Sequence, residues 1–343
     1  MIKKYGIMLA TVLLCLIFCV PVEAAGKETE EKKDEVKTIT ISAVGDCTLG
    51  VDSRYNQFFN NYYKRNNAAY FLKKVKPIFE KDDITIANFE GTLTNSTNRA
   101  KKEFTFKGPA KYASILTEGS VEVVNLANNH SADFGKKGLS DTKKTLKKYG
   151  IPFCIQSTIA YKTVQGVKVA FLGFNKLSGA SNSTVAKTID KAKKNGAEIV
   201  VVSFHWGIEL DKYPNAAEKK AGRAAIDNGA SLVLGHHPHI LQGIEKYKGR
   251  YIVYSLGNFC FGGNSNPRDK DTMIFQQTFY VKNGKLQAKR DAKVIPCSLS
   301  STSRRNDFQP KPLKGNEKAR VMKKINTLSR GMHTSANSNG KLY

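Results

Sequence analysis

The stretch from Leu232 to Gly243 reads LVLGHHPHILQG and holds three of the six histidines in this 343-residue chain. Its apolar start, followed by polar residues and a closing glycine, is typical of a buried strand that ends at a turn. His237 and His239 are two residues apart, so side chains at a strand end would leave it in the same direction. The stretch therefore predicts a strand that delivers two imidazoles to one site.

Strand-like and helix-like segments alternate on both sides of this stretch, which predicts an α/β domain. The predicted strands are 38–45, 83–91, 121–130, 167–174, 197–207, 230–239, 251–259 and 273–296, the last with an Asn-Gly hairpin turn at 283–284. The predicted helices are 68–81, 135–150, about 185–196, about 215–228 and about 316–328. Pro77 is expected in a broken last turn of the first helix.

Five of the predicted strands end in residues that can bind a metal or move a proton. These residues are Asp46, Glu90, Asn129 with His130, His205, and His237 with His239. The carboxyl ends of strands in an α/β sheet face one crevice, so residues far apart in sequence can meet there. Each residue alone has an ordinary alternative as a turn, a helix cap or a packed core histidine. Their shared position after strands favours one common site.

The side chains in this set suit a particular chemistry. Carboxylate, amide oxygen and imidazole together fit divalent Mn, Fe or Zn. One carboxylate can bridge two ions about 3.5–4 Å apart, an arrangement that stabilises a phosphoryl displacement. The neighbouring glycines are expected to let the backbone turn sharply; they are Gly45, Gly91, Gly207 and Gly235.

The N-terminus predicts export. Residues 1–25 combine Lys3 and Lys4 with an apolar run and a small-residue site near Ala24, as a signal peptide does. The alternative is an uncleaved anchor that keeps the protein at the membrane. Residues 26–37 read as a charged linker. The protein is therefore expected outside the cell or at its surface.

The net charge indicates which partners the protein binds, and the positions of the cysteines indicate the state of their thiols. The chain has 55 Lys and Arg against 29 Asp and Glu, a net charge of +26, which favours binding of polyanions. Outside the membrane these would be surface polymers or anionic lipid headgroups, and no nucleic-acid motif is present. Four cysteines lie beyond the apolar start and are predicted to be mostly free and buried; they are Cys47, Cys154, Cys260 and Cys297.

Six ordered motifs between about 38 and 295 resemble one family. They read VGDCTLG, ANFEGTLT, LANNHSADFG, FHWG, GHHPHILQG and YSLGNF. They resemble the CapA family of capsule poly-γ-glutamate biosynthesis proteins, which is related to the calcineurin-like metallophosphoesterases. The resemblance implies a four-layer α/β/β/α sandwich over 38–299. The basic tail 300–343 is expected to lie outside the core.

The resemblance also implies roles for the strand-end residues. Asp46 and His239 would bind a first metal, Glu90 would bridge to a second, and the second would be held by Asn129, His205 and His237. His130 would be the general acid. The wider superfamily has histidine two residues after the first aspartate, where this chain has Thr48. This departure predicts one tight metal and a second, weaker one.

Five further residues have two interpretations each. Asp133 would orient His130 or cap the helix that follows. Asn88 would contact substrate or cap a turn, and Trp206 would wall the pocket or pack in the core. Ser255 and Asn258 would bind substrate or serve a turn. His236 is expected to point away from His237 and to support the site without binding metal.

Two functions remain open from the sequence. The first is a metal-dependent, phosphoesterase-like hydrolase that acts on a phosphoester, or on a bond in an anionic polymer or its lipid-linked carrier. The second is a non-catalytic metal protein that holds a polyanion for export. In both, the expected partner is poly-γ-glutamate or a teichoic-acid-like polymer, with a membrane synthase or export complex as a further candidate. A third interpretation, coincidental turn residues in a plain structural domain, predicts that no metal binds.

Overall fold

The computed structural model describes residues 35–343. The predicted signal segment 1–25 and most of the predicted linker lie outside the described residues. The last residues assigned to that linker, Val36 and Lys37, already belong to the first strand. The linker prediction is therefore wrong at its C-terminal end.

Two sheets form the centre of the structure. The first has eight strands in the order β16-β15-β14-β1-β2-β5-β6, with β13 beside β1, and the second has six in the order β11-β12-β10-β9-β8-β7. A small sheet pairs β3 with β4. The strands are β1 Val36–Thr48, β2 Ile84–Phe89, β3 Thr92–Leu93, β4 Lys107–Gly108, β5 Val123–Asn125, β6 Phe153–Cys154, β7 Ala160–Val164, β8 Val167–Asn175, β9 Ile199–His205, β10 Leu232–His236, β11 Ile244–Tyr247, β12 Arg250–Val253, β13 Asn258–Phe261, β14 Asp271–Lys282, β15 Lys285–Ser298 and β16 Lys311–Pro312.

The helices pack on the outer faces of the two sheets, except the C-terminal one, whose apolar side packs in the core between them. They are α1 Phe58–Asn66, α2 Ala69–Leu72, α3 Lys76–Phe79, α4 Ser114–Glu118, α5 Gly135–Lys148, α6 Asn182–Lys194, α7 Ala216–Asp227 and α8 Gly315–Leu328. A short 3-10 turn, Ala110–Ala113, precedes α4.

The alternation of side chains along the strands separates three apolar cores. In β2, Ile84 and Ile86 face the other sheet, whereas Ala87 and Phe89 face the helices of the first sheet. The outer face of the second sheet packs on α6 and α7. Because both sheets are apolar on both faces, each needs cover on two sides. The predicted α/β/β/α sandwich is therefore confirmed.

Two predicted elements divide differently in the structure. Segment 68–81 forms two short helices, and Pro77 lies at the start of α3, where its missing N–H costs nothing. The predicted strand 251–259 is two strands in different sheets, since β12 pairs with β10 and β13 pairs with β1. This crossing sets Asn258 opposite Asp46, so it helps to build the site.

The glycines beside the site serve two purposes. Gly91 and Gly207 have φ values of 138° and 78°, which fits the predicted turns. Gly45 and Gly235 do not have positive φ and instead allow close packing. A Cβ there would lie 1.8 Å from the Gly257 carbonyl oxygen or 1.9 Å from that of Tyr254. The turn prediction is therefore wrong for Gly45 and Gly235.

Other structural features bear on the predictions from composition. The four cysteines of the described chain are buried and unpaired, as expected. Within residues 35–343, no helix has the length and apolar character to cross a membrane.

The C-terminal tail is not peripheral. Strand β16 pairs with β15, and the buried side of α8 joins the core between the sheets through Val321, Met322, Ile325 and Leu328. The expectation that residues after about 300 lie outside the core is wrong. The helix is short and lies in a polar, basic sequence, so the apolar pattern of one face was too weak to indicate that it is buried in the core.

We expect Ile325→Ala to lower the free energy of unfolding by about 2–5 kcal/mol, because it removes a buried side chain from the inter-sheet core. Lys323→Ala, on the exposed side of the same helix, should change it by less than about 0.5 kcal/mol. Urea unfolding of both variants checks this. Equal stability of Ile325→Ala and the wild type would show that α8 does not belong to the core.

Candidate metal centre

Three predicted ligands from three strand ends meet in the interior. Ligand atoms of Asp46, Glu90 and His205 all lie within 4.8 Å of one another, and all three side chains are fully buried. Asp46 lies in β1, Glu90 follows β2, and His205 ends β9. The site therefore spans both sheets, at the edge where their parallel strands end.

A second group of ligand atoms within 4.8 Å of one another comes from Glu209, His237 and His239. Glu209 was not found from the sequence. It is exposed and follows the turn at Gly207, and only that turn brings it back to the histidines. The sequence feature that could have indicated Glu209 as a ligand is its position, four residues after His205.

The paired histidines reach the site in a different way from the one predicted. Strand β10 ends at His236, so His237 and His239 lie in the following loop. Their φ values are 100° and 60°, which is rare for residues other than glycine and is strained. The loop backbone therefore aims the two imidazoles, and strand alternation does not.

Glu90 stands at the centre of the imidazoles. Its Oε1 lies 3.8 Å from Nε2 of His130 and 3.9 Å from Nε2 of both His205 and His239. This oxygen has no hydrogen-bond partner among the described residues, and neither has Nδ1 of His205 or His237. Buried polar atoms are rarely left without a partner. A buried carboxylate oxygen without a partner, surrounded by three imidazoles, fits a divalent cation.

Asp46 is held by neutral and basic side chains. Its carboxylate accepts a hydrogen bond from Asn88 Nδ2 at 2.8 Å and lies 3.2 Å from His239 Nδ1 and 3.4 Å from His236 Nδ1. Burial works to raise the pKa of Asp46, but the imidazoles of His236 and His239 beside it hold that pKa well below its usual value. His236 thus supports Asp46, in the place expected for it.

Burial and the neighbouring charges shift the pKa values of the other groups of the site. Burial raises the pKa of Glu90 well above its usual value, and the Asp46 carboxylate adds to this. Burial lowers the pKa of His205, and it lowers that of His237 to about 4, so both imidazoles keep the lone pairs that bind metals. Burial opposes protonation of His239 too, but Glu90 and Asp46 raise its pKa to about 10. A cation bound at this point would therefore stabilise the ionised forms of the Asp46 and Glu90 carboxylates.

Asn129 and His130 follow β5 and contact different parts of the site. Asn129 Oδ1 lies 2.9 Å from His205 Nε2, beside the predicted ligands. His130 Nδ1 lies 2.8 Å from Asp133 Oδ2, which leaves Nε2 directed toward Glu90. The helix-cap alternative for Asp133 is wrong, because Phe134 is the N-cap of α5 and no side chain caps it.

Lys102 joins this pair and was missed from the sequence. Its Nζ lies 2.5 Å from Asp133 Oδ1 and 2.8 Å from the Asn129 carbonyl oxygen, and 3.2 Å from His130 Nδ1. It comes from the loop before β4, and no sequence pattern links it to position 133. The buried Asp133 is therefore paired with a cation.

A cavity of about 490 Å³ opens over the site. His130, Glu209, His239 and Asn258 line it together with aromatic side chains such as Phe106. Ordinary ligand cavities have this size. A substrate in it would touch the His130 imidazole together with Glu209 and His239 of the second ligand group.

Three of the predicted substrate residues do not line this cavity. Asn88 is fully buried, and its amide binds Asp46 and Asn125. Trp206 packs in the core against α7 and donates its Nε1–H to the Tyr254 carbonyl oxygen. Ser255 is buried and donates to the Ile240 carbonyl oxygen at a turn. Asn258 alone of the four lines the cavity, with its Oδ1 2.9 Å from His239 Nδ1.

The chain is similar to known proteins over most of its length. The profile of the family described as "Bacterial capsule synthesis protein PGA_cap" matches residues 40–263. The "PGA biosynthesis protein CapA" of Bacillus subtilis (strain 168) is 34% identical over 288 residues, 76% of this chain and 73% of that protein. The "Capsule biosynthesis protein CapA" of Bacillus anthracis is 32% identical over 302 residues, 80% of this chain and 72% of that protein.

Among solved structures, a hypothetical protein from Thermus thermophilus aligns over 75% of this chain and 99% of its own, with 14% identity and a TM-score of 0.47. All the predicted metal ligands lie inside the family match. This chain belongs to the bacterial capsule synthesis protein family PGA_cap, within the metallophosphoesterase-like superfamily.

Proposed function

We propose that this protein is an exported, metal-dependent hydrolase of poly-γ-glutamate capsule biosynthesis. The bond cleaved would be a phosphoester, or a bond in the polymer or its lipid-linked carrier. The names of the two Bacillus relatives support the biosynthetic role. The N-terminal sequence supports export to the cell surface, with an uncleaved anchor as the alternative, and a membrane synthase complex remains a candidate partner.

The donor set supports a resident divalent Mn, Fe or Zn ion. Asp46, Glu90 and His205 would hold it, with Asn129 beside His205. His237, His239 and Glu209 would hold a second ion. Such an ion supplies Lewis-acid chemistry, which activates water and polarises a phosphoryl or carbonyl oxygen.

The His130–Asp133 pair is the observation that carries the hydrolase proposal. Asp133 Oδ2 accepts from His130 Nδ1 at 2.8 Å, and this bond fixes the ring and its tautomer. Nε2 then faces the open cavity beside Glu90. In the doubly protonated form of the ring, whose positive charge Asp133 stabilises, Nε2 can hand its proton to a leaving oxygen and leave the neutral Nδ1–H tautomer. A protein that only binds polymer has no need for a proton donor fixed in this way.

Hydrolysis of an aryl phosphodiester and an aryl monoester by the purified protein, with and without added Mn²⁺, tests the proposal. Metal-dependent turnover would support it. Metal content measured on the same sample separates the outcomes: bound metal without turnover would favour a polyanion-binding protein.

That second function has one observation in its favour. Thr48 stands where the wider superfamily has histidine, and its Oγ1 is buried without a hydrogen-bond partner in the described chain. A hydroxyl is a poorer metal ligand than imidazole, so one ion should bind weakly. Glu209 partly offsets this, because it adds a carboxylate to the group that contains His239.

We expect Asp133→Asn to reduce kcat about 10–100-fold with little change in KM, because the amide can no longer hold the His130 tautomer as the carboxylate does. Asp141→Asn is the matched control, since that aspartate binds Lys137 at the surface of α5. Steady-state kinetics of both variants checks this. An equal kcat for Asp133→Asn and the wild type would contradict the positioning role.

A further inference from the structure

The cavity over the metal centre continues along the C-terminal helix. It shares Ile240 and Asp269 with a second cavity of about 510 Å³. The second shares Lys323 and Thr327 with a third of about 680 Å³. We name the second and third cavities the α8 groove, since α8 residues line both. Most of the residues that line the groove come after the family match, which ends at residue 263.

The α8 groove is basic. Lys212, Lys318, Lys323 and Arg330 line it, and no hydrogen bond or ion pair within residues 35–343 engages their side chains. Apart from Asp269, no carboxylate of the described chain lines either cavity. The four cations are therefore available to an anionic partner.

Two other basic side chains are already neutralised and hold the groove in shape. Arg320 binds Asp271 at 2.6 Å, and Lys324 binds Asp269 at 2.6 Å and Asp271 at 2.9 Å. These pairs tie α8 to Asp271, the first residue of β14, and to Asp269 in the loop before it. The loop before β14 also lines the cavity over the metal centre. The ion pairs therefore hold that cavity and the α8 groove in a fixed position relative to each other.

The floor of the groove is apolar. Leu241 and Leu328 line the second cavity, and Ala319, Met322 and Ala336 line the third. Separated cations above aliphatic side chains match a chain that alternates methylene groups with single negative charges. A polycarboxylate such as polyglutamate has this pattern, whereas a glycerol-phosphate chain presents hydroxyls and phosphates to the same apolar floor.

From these observations we propose that the α8 groove binds a polyglutamate chain and leads it to the metal centre. The inference rests on the proposed function for what happens at that centre, and the groove itself is a binding surface that needs no turnover to be measured. Binding should weaken as salt rises, because the four cations are exposed or half-buried.

The test compares two variants of the purified protein that lose the same charge. The groove variant carries Lys212→Gln, Lys318→Gln, Lys323→Gln and Arg330→Gln. The control variant carries Lys144→Gln, Lys148→Gln, Lys187→Gln and Lys191→Gln on α5 and α6, outside the groove. Fluorescently labelled poly-γ-glutamate is titrated with each protein at low and moderate salt.

We expect the groove variant to bind poly-γ-glutamate about tenfold or more weakly than the wild type, since four exposed ion pairs each contribute modestly. The control variant should bind within about twofold of the wild type. Equal losses in both variants would reduce the effect to net charge and overturn the groove. Wild-type affinity in the groove variant, or no binding by the wild type, would overturn it too.

Competition with an unlabelled glycerol-phosphate polymer tests the chemistry of the partner. Stronger binding of that polymer than of polyglutamate would overturn the assignment to a polycarboxylate. The aryl phosphoester assay keeps the two proposals separate. A groove variant that loses polymer but keeps wild-type turnover supports both. Polymer loss in a protein without turnover supports the groove alone.

Discussion

Replacing His130 with alanine is expected to lower kcat for metal-dependent aryl phosphoester hydrolysis about 10²–10⁴-fold, the usual contribution of a general acid. His130 lines the open cavity, and its Nε2 lies 3.8 Å from Glu90 Oε1. Asp133 fixes the opposite side of the ring. The variant thus removes the proton donor but leaves the carboxylate and imidazole ligands of the metal in place.

The metal content of His130→Ala should equal that of the wild type, which separates a chemical defect from a binding defect. His333→Ala, an exposed histidine after α8, is the matched control and should keep full activity. Two results would contradict the role of His130 as general acid: unchanged turnover in His130→Ala, or a loss of metal that accounts for the loss of turnover.

Glu90→Gln is expected to lower metal affinity by more than about 100-fold, since even supporting partners of metal ligands are worth 10–100-fold. Glu90 Oε1 lies among three imidazoles and has no hydrogen-bond partner in the described chain. The amide keeps the shape of the side chain but removes the charge that attracts a cation. The thermal stabilisation gained by adding metal, about 2.7 kcal/mol at a hundredfold excess over Kd, should disappear.

Without metal, Glu90→Gln should be more stable than the wild type, which is the opposite of the order expected with metal bound. Burial raises the pKa of Glu90 in the folded state, so the folded protein binds this proton more tightly than the unfolded chain. The wild type without metal should therefore lose stability as pH rises from the usual glutamate pKa toward the raised one. Glu90→Gln should flatten that loss and be the more stable protein near neutral pH.

Calorimetry with and without Mn²⁺ checks both parts of this prediction. Glu118→Gln, on the exposed side of α4, is the control and should behave as the wild type. A Glu90→Gln protein that still gains stability from Mn²⁺ would show that the ion binds elsewhere. A metal-free variant less stable than the wild type would show that Glu90 stabilises the fold directly.

Much of the site was predictable because parallel strands end at one edge of a sheet. Asp46, Glu90 and His205 each follow or end a clear apolar strand, so the sequence places them together without any distance being known. Glu209 and Lys102 were not predictable. They lie in loops whose paths are set by a positive-φ glycine and by tertiary contacts.

The predicted substrate residues also divide into one that lines the cavity as the sequence predicted and others that do not. Trp206 directly follows His205 in the sequence, but successive side chains along a strand face opposite sides. Trp206 therefore packs under α7. Ser255 donates to the Ile240 carbonyl oxygen in the loop after β10. Asn258 reaches the cavity because the chain crosses from the second sheet to the first just before it.

The sequence by itself determined the layered α/β class, the family and the main strand-end residues of the candidate site, because all three follow from local periodicity and from motifs that occur in order. Only the tertiary structure decided which side chains face the cavity, how the strained loop aims His237 and His239, and that α8 completes the inter-sheet core. The physical reason is that these features depend on contacts between segments far apart in the chain. Periodicity reports which face of a segment is apolar, but not which partner covers it.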